Sequence, residues 1–525
     1  MSAGVYAYAF ATGAEPTLQE PSPLLAKYTL SFENRYSHST MRMLEVIFVV
    51  LLVVQWLFGW RSRPNTQPND SSTQTSRHTL TVWLLVLTPL ILTLHLWVER
   101  PRWQMYPAYL AGIVFIVKRI LVTQRLAHTL SLRQPSALRI IIGNGLIGLA
   151  LISALTLSII FPVTNLPVPD GAYRVGTVSI PLRDDTRDEI FTDDPSDKRE
   201  LMIQIWYPAT PPLTARPEPW MQQINIVGPA ITQWIHMPSF LLDHAGLVRS
   251  NAYADTPVSE AEATYPVIIY SHGWGGFRNI SADQFEALAS HGYIVISIDH
   301  PYSGLITLFN DGRTVMNKRS LLPERGQPNF LSSAQTLVQV FSQDERFVMD
   351  KLTELNRGTG DPRFAGRMNL AQIGLFGHST GGGAVVNTCA VDTRCKAGFG
   401  LDPWVEPVPD DIIAAGLAQP FVFMRSEEWT GPTTKNDPRL SQLYSHMRGP
   451  IQRLSVRGSR HYDFTLIGLL SPLAPALRLK GPIDGLRMLH LVDDHLVAFF
   501  DSTLKGDGDI TMPQVRERYP ESESR

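Results

Sequence analysis

Cysteine is almost absent, with only Cys389 and Cys395 in 525 residues. That excludes a disulfide-built scaffold and any cysteine-rich zinc or iron–sulfur centre. The two thiols read as separate buried groups, which an oxidising compartment could pair. Charge is sparse too: Asp, Glu, Lys and Arg make up 18% of the chain, against roughly 25% in ordinary globular proteins. Lys and Arg number 46 against 48 Asp and Glu, a net charge of −2. A nucleic-acid binder carries a basic surplus, so that class is excluded. The 44% apolar content excludes a disordered chain. No Walker loop, His-Glu-x-x-His pair or calcium loop is present, which points to chemistry without metal or cofactor. The first 40 residues lack a basic segment running directly into an apolar core, so no cleaved signal peptide is expected.

What the chain does have is a sharp asymmetry. Residues 1–165 hold 13 Lys and Arg against 6 Asp and Glu, and the remainder 33 against 42. The basic part also contains four apolar runs, at 43–60, 80–98, 106–122 and 140–163. A helix needs about 20 apolar residues to cross the hydrocarbon layer, so these runs predict a membrane module of about four spans within residues 1–165. The third run is the weakest, because Lys118 and Arg119 interrupt it. Lys118, Arg119, Arg125, Arg133 and Arg139 put the third connector in the cytoplasm and the C-terminal part outside. Arg61, Arg63 and Arg77 agree with that orientation, whereas Arg100 and Arg102 in the second connector oppose it.

After an exit with three prolines between Phe161 and Pro169, the pattern changes. Short apolar strands are expected at 202–206, 265–271, 293–298, 373–376, 398–401, 420–424 and 451–456. Helices fit 281–291, 332–355 and 486–504. Strands alternating with helices imply a mainly parallel sheet covered on both faces, an α/β fold. Its active site should lie at the carboxyl ends of the strands. The domain is read as 170–507, followed by a polar tail at 508–525.

One strand end carries Gly377-His378-Ser379-Thr380-Gly381. Gly-x-Ser-x-Gly between a strand and a helix describes a nucleophile elbow. A serine hydroxyl becomes a nucleophile when a histidine takes its proton and a carboxylate orients that histidine. The chain order in such folds is serine, acid, histidine. Asp402 follows the next strand, whereas Asp410 and Asp411 lie in a polar loop and Asp392 precedes the strand. His461 sits in a turn after 451–456; His446, His490 and His495 are the alternatives. His378 is read as a packing residue. The oxyanion needs backbone donors, which the Thr380 amide and the glycine-rich turn Ser271-His272-Gly273-Trp274-Gly275-Gly276 would supply.

These residues carry a resemblance. Residues 170–507 resemble the plasma and intracellular type II platelet-activating factor acetylhydrolases and their bacterial relatives, which are α/β-hydrolase esterases. The matching stretches are Gln204-Ile-Trp-Tyr-Pro-Ala209, Ser271-His-Gly-Trp-Gly-Gly-Phe-Arg278, Ala289-Ser-His-Gly-Tyr-Ile-Val295, Gly377-His-Ser-Thr-Gly-Gly382, Leu401-Asp-Pro-Trp404 and Ser459-Arg-His461. The resemblance implies Ser379 as nucleophile, Asp402 as orienting acid, His461 as general base and the Trp274 amide as second oxyanion donor. It also implies calcium-independent hydrolysis of short or oxidised sn-2 acyl chains of phospholipids. Thr380 stands where the animal members commonly carry Phe, and Trp274 where they carry Leu. Both departures bear on acyl specificity and spare a backbone-amide role. Residues 1–165 have no counterpart in the soluble animal enzymes.

The leading expectation is therefore a membrane-anchored serine esterase acting on a small-molecule or lipid ester, with the catalytic domain outside the cytoplasm. The alternatives are a general carboxylesterase or polyester hydrolase, and a catalytically silent membrane receptor or scaffold. The apolar segment 224–247 is either a lid that faces lipid or an ordinary buried helix.

Overall fold

The computed structural model describes residues 41–61, 71–123, 136–430, 436–506 and 511–525. The four apolar runs fold as helices: α1 (Met43–Arg61), α2 (Ser71–Val98), α3 (Tyr106–Thr123) and α4 (Ala137–Ile160). Phe48, Leu52, Met105, Ala108, Ile147 and Leu151 form their shared interior. Polar groups also turn inward. Gln55 Nε2 donates to Thr88 Oγ1 at 2.8 Å, and Arg102 pairs with Glu45 at 2.7 Å with both side chains sealed from solvent. The outward faces carry Val50, Leu90, Leu110, Ile113, Ile142, Leu149 and Ile152.

Four helices thus stand where four spans were expected, but the match is coarser than that. Among the described residues only α4 is long and apolar enough to cross a membrane, while Met43–Phe58 and Val82–Val98 are shorter apolar helices. The polar first turns of α2 and the Lys118–Arg119 pair in α3 shorten the apolar stretches.

The C-terminal part is built on one sheet and a short hairpin. Its strands are β1 (Arg174–Asp188), β2 (Lys198–Ala209), β3 (Pro217–Pro219), β4 (Arg249–Ala254), β5 (Tyr265–Ser271), β6 (Ile294–Asp299), β7 (Ile306–Leu308), β8 (Thr314–Met316), β9 (Met368–His378), β10 (Cys395–Leu401), β11 (Phe421–Ser426), β12 (Ile451–Val456) and β13 (Ser522–Ser524). The sheet order is β13-β12-β11-β10-β9-β5-β6-β2-β1-β4-β3, and β7 and β8 form the hairpin. From β12 to β6 all neighbours run parallel. Beyond β6 the long β1–β2 pair turns antiparallel.

Parallel strands need both faces covered, and their side chains alternate between two cores. Along β5, Ile268 and Tyr270 face the core that includes Phe285 and Leu288 of α6 (Ala282–Ser290) and Met488 and Leu491 of α11 (Gly485–Phe500). Val267 and Ile269 face the opposite core. That core is closed by α7 (Phe330–Asn356), α8 (Thr380–Val391), α9 (Asp410–Ala415) and α10 (Asn436–His446). The remaining α-helices among the described residues are α5 (Ile224–Trp234), which precedes the sheet's central strands, and α12 (Met512–Arg518).

Two expectations are corrected. The segment taken as a polar tail forms α12 and then β13, which pairs antiparallel with β12. Buried Met512, Val515 and Tyr519 hold it in the core despite its polar composition. Cys389 and Cys395 are a disulfide rather than separate thiols, because the turn from α8 into β10 brings their Cα atoms to 5.1 Å.

Helix α7 presents two adjacent acids to the interior. Asp344 accepts from Arg199 at 2.6 Å, Arg187 at 2.7 Å and His300 Nδ1 at 2.9 Å. Burial alone would raise its carboxyl, but Arg199 and His300 hold it well below the usual carboxylate range. Among the described residues no cation lies beside Glu345; Thr388 donates to one oxygen, and burial pushes the carboxyl up to about 8. Its folded value therefore lies above the unfolded one of 4.5. The stability it contributes is complete at low pH and is lost as pH rises through that window. Glu345→Gln removes the titration: denaturation midpoints should coincide with wild type at pH 4, below the unfolded value. At pH 8 the variant should be more stable by at least about 1 kcal/mol.

Candidate active site

β9 ends at His378, α8 starts at Thr380, and Ser379 forms the corner between them with φ 54° and ψ −116°. A non-glycine residue at positive φ is strained and is held only by its surroundings. Here the Ser379 amide donates to Leu401 O at 3.0 Å, and the Trp404 amide donates to Ser379 O at 2.8 Å. Both tie the corner to the end of β10. The glycines of the motif permit close approach. A Cβ on Gly381 would lie 2.0 Å from Ser271 O, and one on Gly273 would lie 2.9 Å from Ser379 Cβ. The glycine-rich turn after β5 thus runs directly beside the serine.

Asp402 directly follows β10 and is fully buried. One carboxylate oxygen accepts from the Ser426 amide at 2.7 Å and Arg425 Nε at 3.3 Å. The other accepts from the Ser426 hydroxyl and from His461 Nδ1 at 3.0 Å. Burial would raise this carboxyl, but His461, Arg425 and Ser426 outweigh it and hold it below its ordinary value. Because an ionised carboxylate only accepts, His461 Nδ1 donates in this bond, and in the neutral tautomer the lone pair therefore lies on Nε2.

The His461 ring is enclosed by aromatic groups. Trp429 stacks on it at 3.9 Å between centroids, and the His378 ring lies at 4.5 Å. His378 Nε2 donates to His461 O at 2.9 Å. Burial, together with His461 nearby, pushes His378 down to about 3, so it stays neutral.

The structure therefore brings Asp402 and His461 into hydrogen-bond contact and seats His378, the residue before Ser379, against the His461 ring. The other candidates fall elsewhere. Asp410 is exposed and pairs with Arg439, and Asp392 pairs with Arg394 before β10. His446 ends α10, whereas His490 lies on α11 with His495, which bonds Leu491 O and Ser522. Thr380 is the first residue of α8, where amides have no partner within the helix. In the turn after β5 the Gly275 amide donates to Ser303 O and the Gly276 amide to Gly273 O. The Trp274 amide donates to no backbone carbonyl among the described residues.

Ser426 and Trp429 were not singled out from the sequence. Ser426 ends β11, the strand beside β10, so strand-end placement was a usable signal; nothing comparable marks Trp429.

The segment 224–247 is packed on its inner side, with Ala230 clustered against Leu305 and Ile306. It leaves Ile235, Met237 and Phe240 exposed. Past its middle Phe240 meets Trp103 of the helical module, with ring centroids 5.2 Å apart. Six residues earlier, Trp234 borders Gly275, where an added Cβ would lie 3.1 Å from its ring.

Residues 158–512 match the family described as platelet-activating factor acetylhydrolase, isoform II. The chain belongs to that family. It is accordingly a serine carboxylic-ester hydrolase. Relatives include a platelet-activating factor acetylhydrolase of Cavia porcellus, 26% identical over 67% of this chain and 84% of its own. Another, of Canis lupus familiaris, is 25% identical over 67% and 82%. A protein of Arthroderma benhamiae named "Probable 1-alkyl-2-acetylglycerophosphocholine esterase" is 24% identical over 68% and 92%. A ferulic acid esterase from Streptomyces cinnamoneus superposes with a TM-score of 0.56 at 23% identity, over 69% of this chain and 99% of its own. That likeness bears on the fold alone, which is an α/β-hydrolase fold.

The close approach at Gly381 is testable. Gly381→Ala must push the corner away from Ser271, and a displacement near 1 Å costs roughly 100-fold in rate. Ester hydrolysis by the purified variant should fall by about that factor.

Proposed function

We propose that this enzyme hydrolyses short or oxidised acyl esters of phospholipids at a membrane, with Ser379, His461 and Asp402 acting together. The observation that carries this reading is the His461 Nδ1 to Asp402 bond at 3.0 Å, on an imidazole that packs against His378, the residue before the strained corner of Ser379. In this mechanism Ser379 Oγ attacks the ester carbonyl while His461 Nε2 accepts the hydroxyl proton. The Thr380 and Trp274 amides receive the developing oxyanion. Collapse of the tetrahedral intermediate expels the lysophospholipid alkoxide, which takes the proton from His461. Water, deprotonated by His461, then attacks the acyl-enzyme; collapse releases the carboxylic acid and returns the proton to Ser379.

The substrate class rests on family membership and on the relatives, which are named for an acetylated ether phospholipid. The helical module supports a membrane setting. Around its apolar interior it turns Val50, Leu90, Leu110, Ile113, Ile142, Leu149 and Ile152 outward while Gln55 with Thr88 and Glu45 with Arg102 pair inward, an arrangement unlike that of a bundle bathed in water. Holding the site beside the bilayer raises the effective concentration of a lipid substrate. The Trp103–Phe240 contact links that module to the segment bordering Gly275. The Cys389–Cys395 disulfide and the basic third connector both favour an extracytoplasmic catalytic domain. A second reading, a general carboxylesterase or polyester hydrolase, is favoured by Trp274 and Thr380 standing where the animal members commonly carry Leu and Phe.

Three experiments test this. A fluorophosphonate should label the wild type and not Ser379→Ala, whose kcat should fall by about 10⁶. The purified protein should cleave a short-acyl phosphatidylcholine; cleavage of p-nitrophenyl esters alone would leave the second reading standing. In membranes washed with alkaline carbonate the full chain should stay in the pellet, and its release would remove the membrane assignment.

A further inference from the structure

The Trp429 indole lies face to face with the His461 imidazole, 3.9 Å between centroids and 8° from parallel. We infer that Trp429 is a positioning residue of the reaction, holding the imidazole in its productive plane and stabilising the imidazolium that forms as Ser379 loses its proton. The inference rests on the reading of His461 as general base.

The indole is not placed by chance packing. The Trp429 amide donates to Ser426 Oγ at 3.2 Å, its carbonyl accepts from Arg425, and the Thr430 hydroxyl donates to Ser426 O at 2.6 Å. Ser426 and Arg425 also donate to Asp402. One turn therefore fixes both partners of His461: the carboxylate in the plane of the ring and the aromatic face above it. The main chain of His461 is held as well, its amide by Glu428 Oε2 at 3.1 Å and its carbonyl by His378 Nε2 at 2.9 Å.

The chemistry favours the transition state. An aromatic face attracts a cation through its quadrupole and does far less for a neutral ring. The imidazole is neutral before attack and cationic during proton transfer. An interaction that strengthens only then raises kcat rather than substrate affinity. The stacked ring also keeps water from one face of the imidazole and opposes its rotation away from the serine.

The test uses the full-length protein in detergent micelles with a short-acyl p-nitrophenyl ester. Trp429→Leu should lower kcat roughly 5- to 30-fold while KM changes less than about 3-fold. Its fluorophosphonate labelling should slow by the same factor. Trp429→Phe, which restores an aromatic face, should recover kcat to within about 3-fold of wild type. If Trp429→Leu does not fold, Trp429→Met makes the same comparison with a longer side chain. Wild-type kcat in the non-aromatic variant overturns the proposal. So does an equal loss in the Phe and non-aromatic variants that tracks their thermal midpoints. Ser379→Ala separates the two levels: if it keeps activity, the reading of the site itself fails. If it is inactive while Trp429→Leu matches wild type, only the role of Trp429 is lost.

Discussion

Asp402 carries its charge where no water reaches it, and the surrounding structure is arranged to make that tolerable. A buried carboxylate without partners would take up a proton. Here the backbone and hydroxyl of Ser426, the Arg425 guanidinium and the His461 imidazole together keep it ionised. The consequence is structural as well as chemical: the end of β11, the turn after it and the loop after β12 are all drawn to one point at the end of β10. In the proposed mechanism that point orients the base, and Trp429 comes into place through the same turn.

The sheet supplies the rigidity that this convergence needs. Parallel strands from β12 to β6 are packed on both faces, so their carboxyl ends share one edge. The corner at Ser379 is strained and survives because β10 and the turn after β5 press on it from both sides. Behind them, α7 brings an ionised Asp344 and a neutral Glu345 into the interior one residue apart. The difference is one of neighbours: two arginines and a histidine face the first, while a threonine hydroxyl faces the second.

The N-terminal helices follow a mixed rule of burial. Gln55 with Thr88 and Glu45 with Arg102 pair inside, beside an apolar interior, and many further apolar side chains lie outside. Such an arrangement is costly in water and favourable in hydrocarbon. Phe240 against Trp103 joins this module to the segment that borders the turn after β5. In the proposed function, this is the side from which a lipid ester would come.

Much of this was legible in the chain alone. Strand 265–271 and strand 451–456 are bounded as their apolar runs suggest, and the Gly-x-Ser-x-Gly corner and Asp402 fall at strand ends. Local rules govern these features: period, turn chemistry and the need to bury apolar runs between polar turns. Other features have no local signature. Strand β13 forms from a polar segment because an edge of the sheet and three apolar anchors await it. Cys389 and Cys395 join because a helix and a strand happen to meet there. Trp429 lies 32 positions from His461 in the chain, and no spacing rule pairs them. The sequence by itself determined which apolar segments form the central strands and which serine sits on the sharp corner, since period and turn chemistry act within a few residues. Only the tertiary structure decided what surrounds that corner, because those contacts depend on how distant segments meet at one sheet edge.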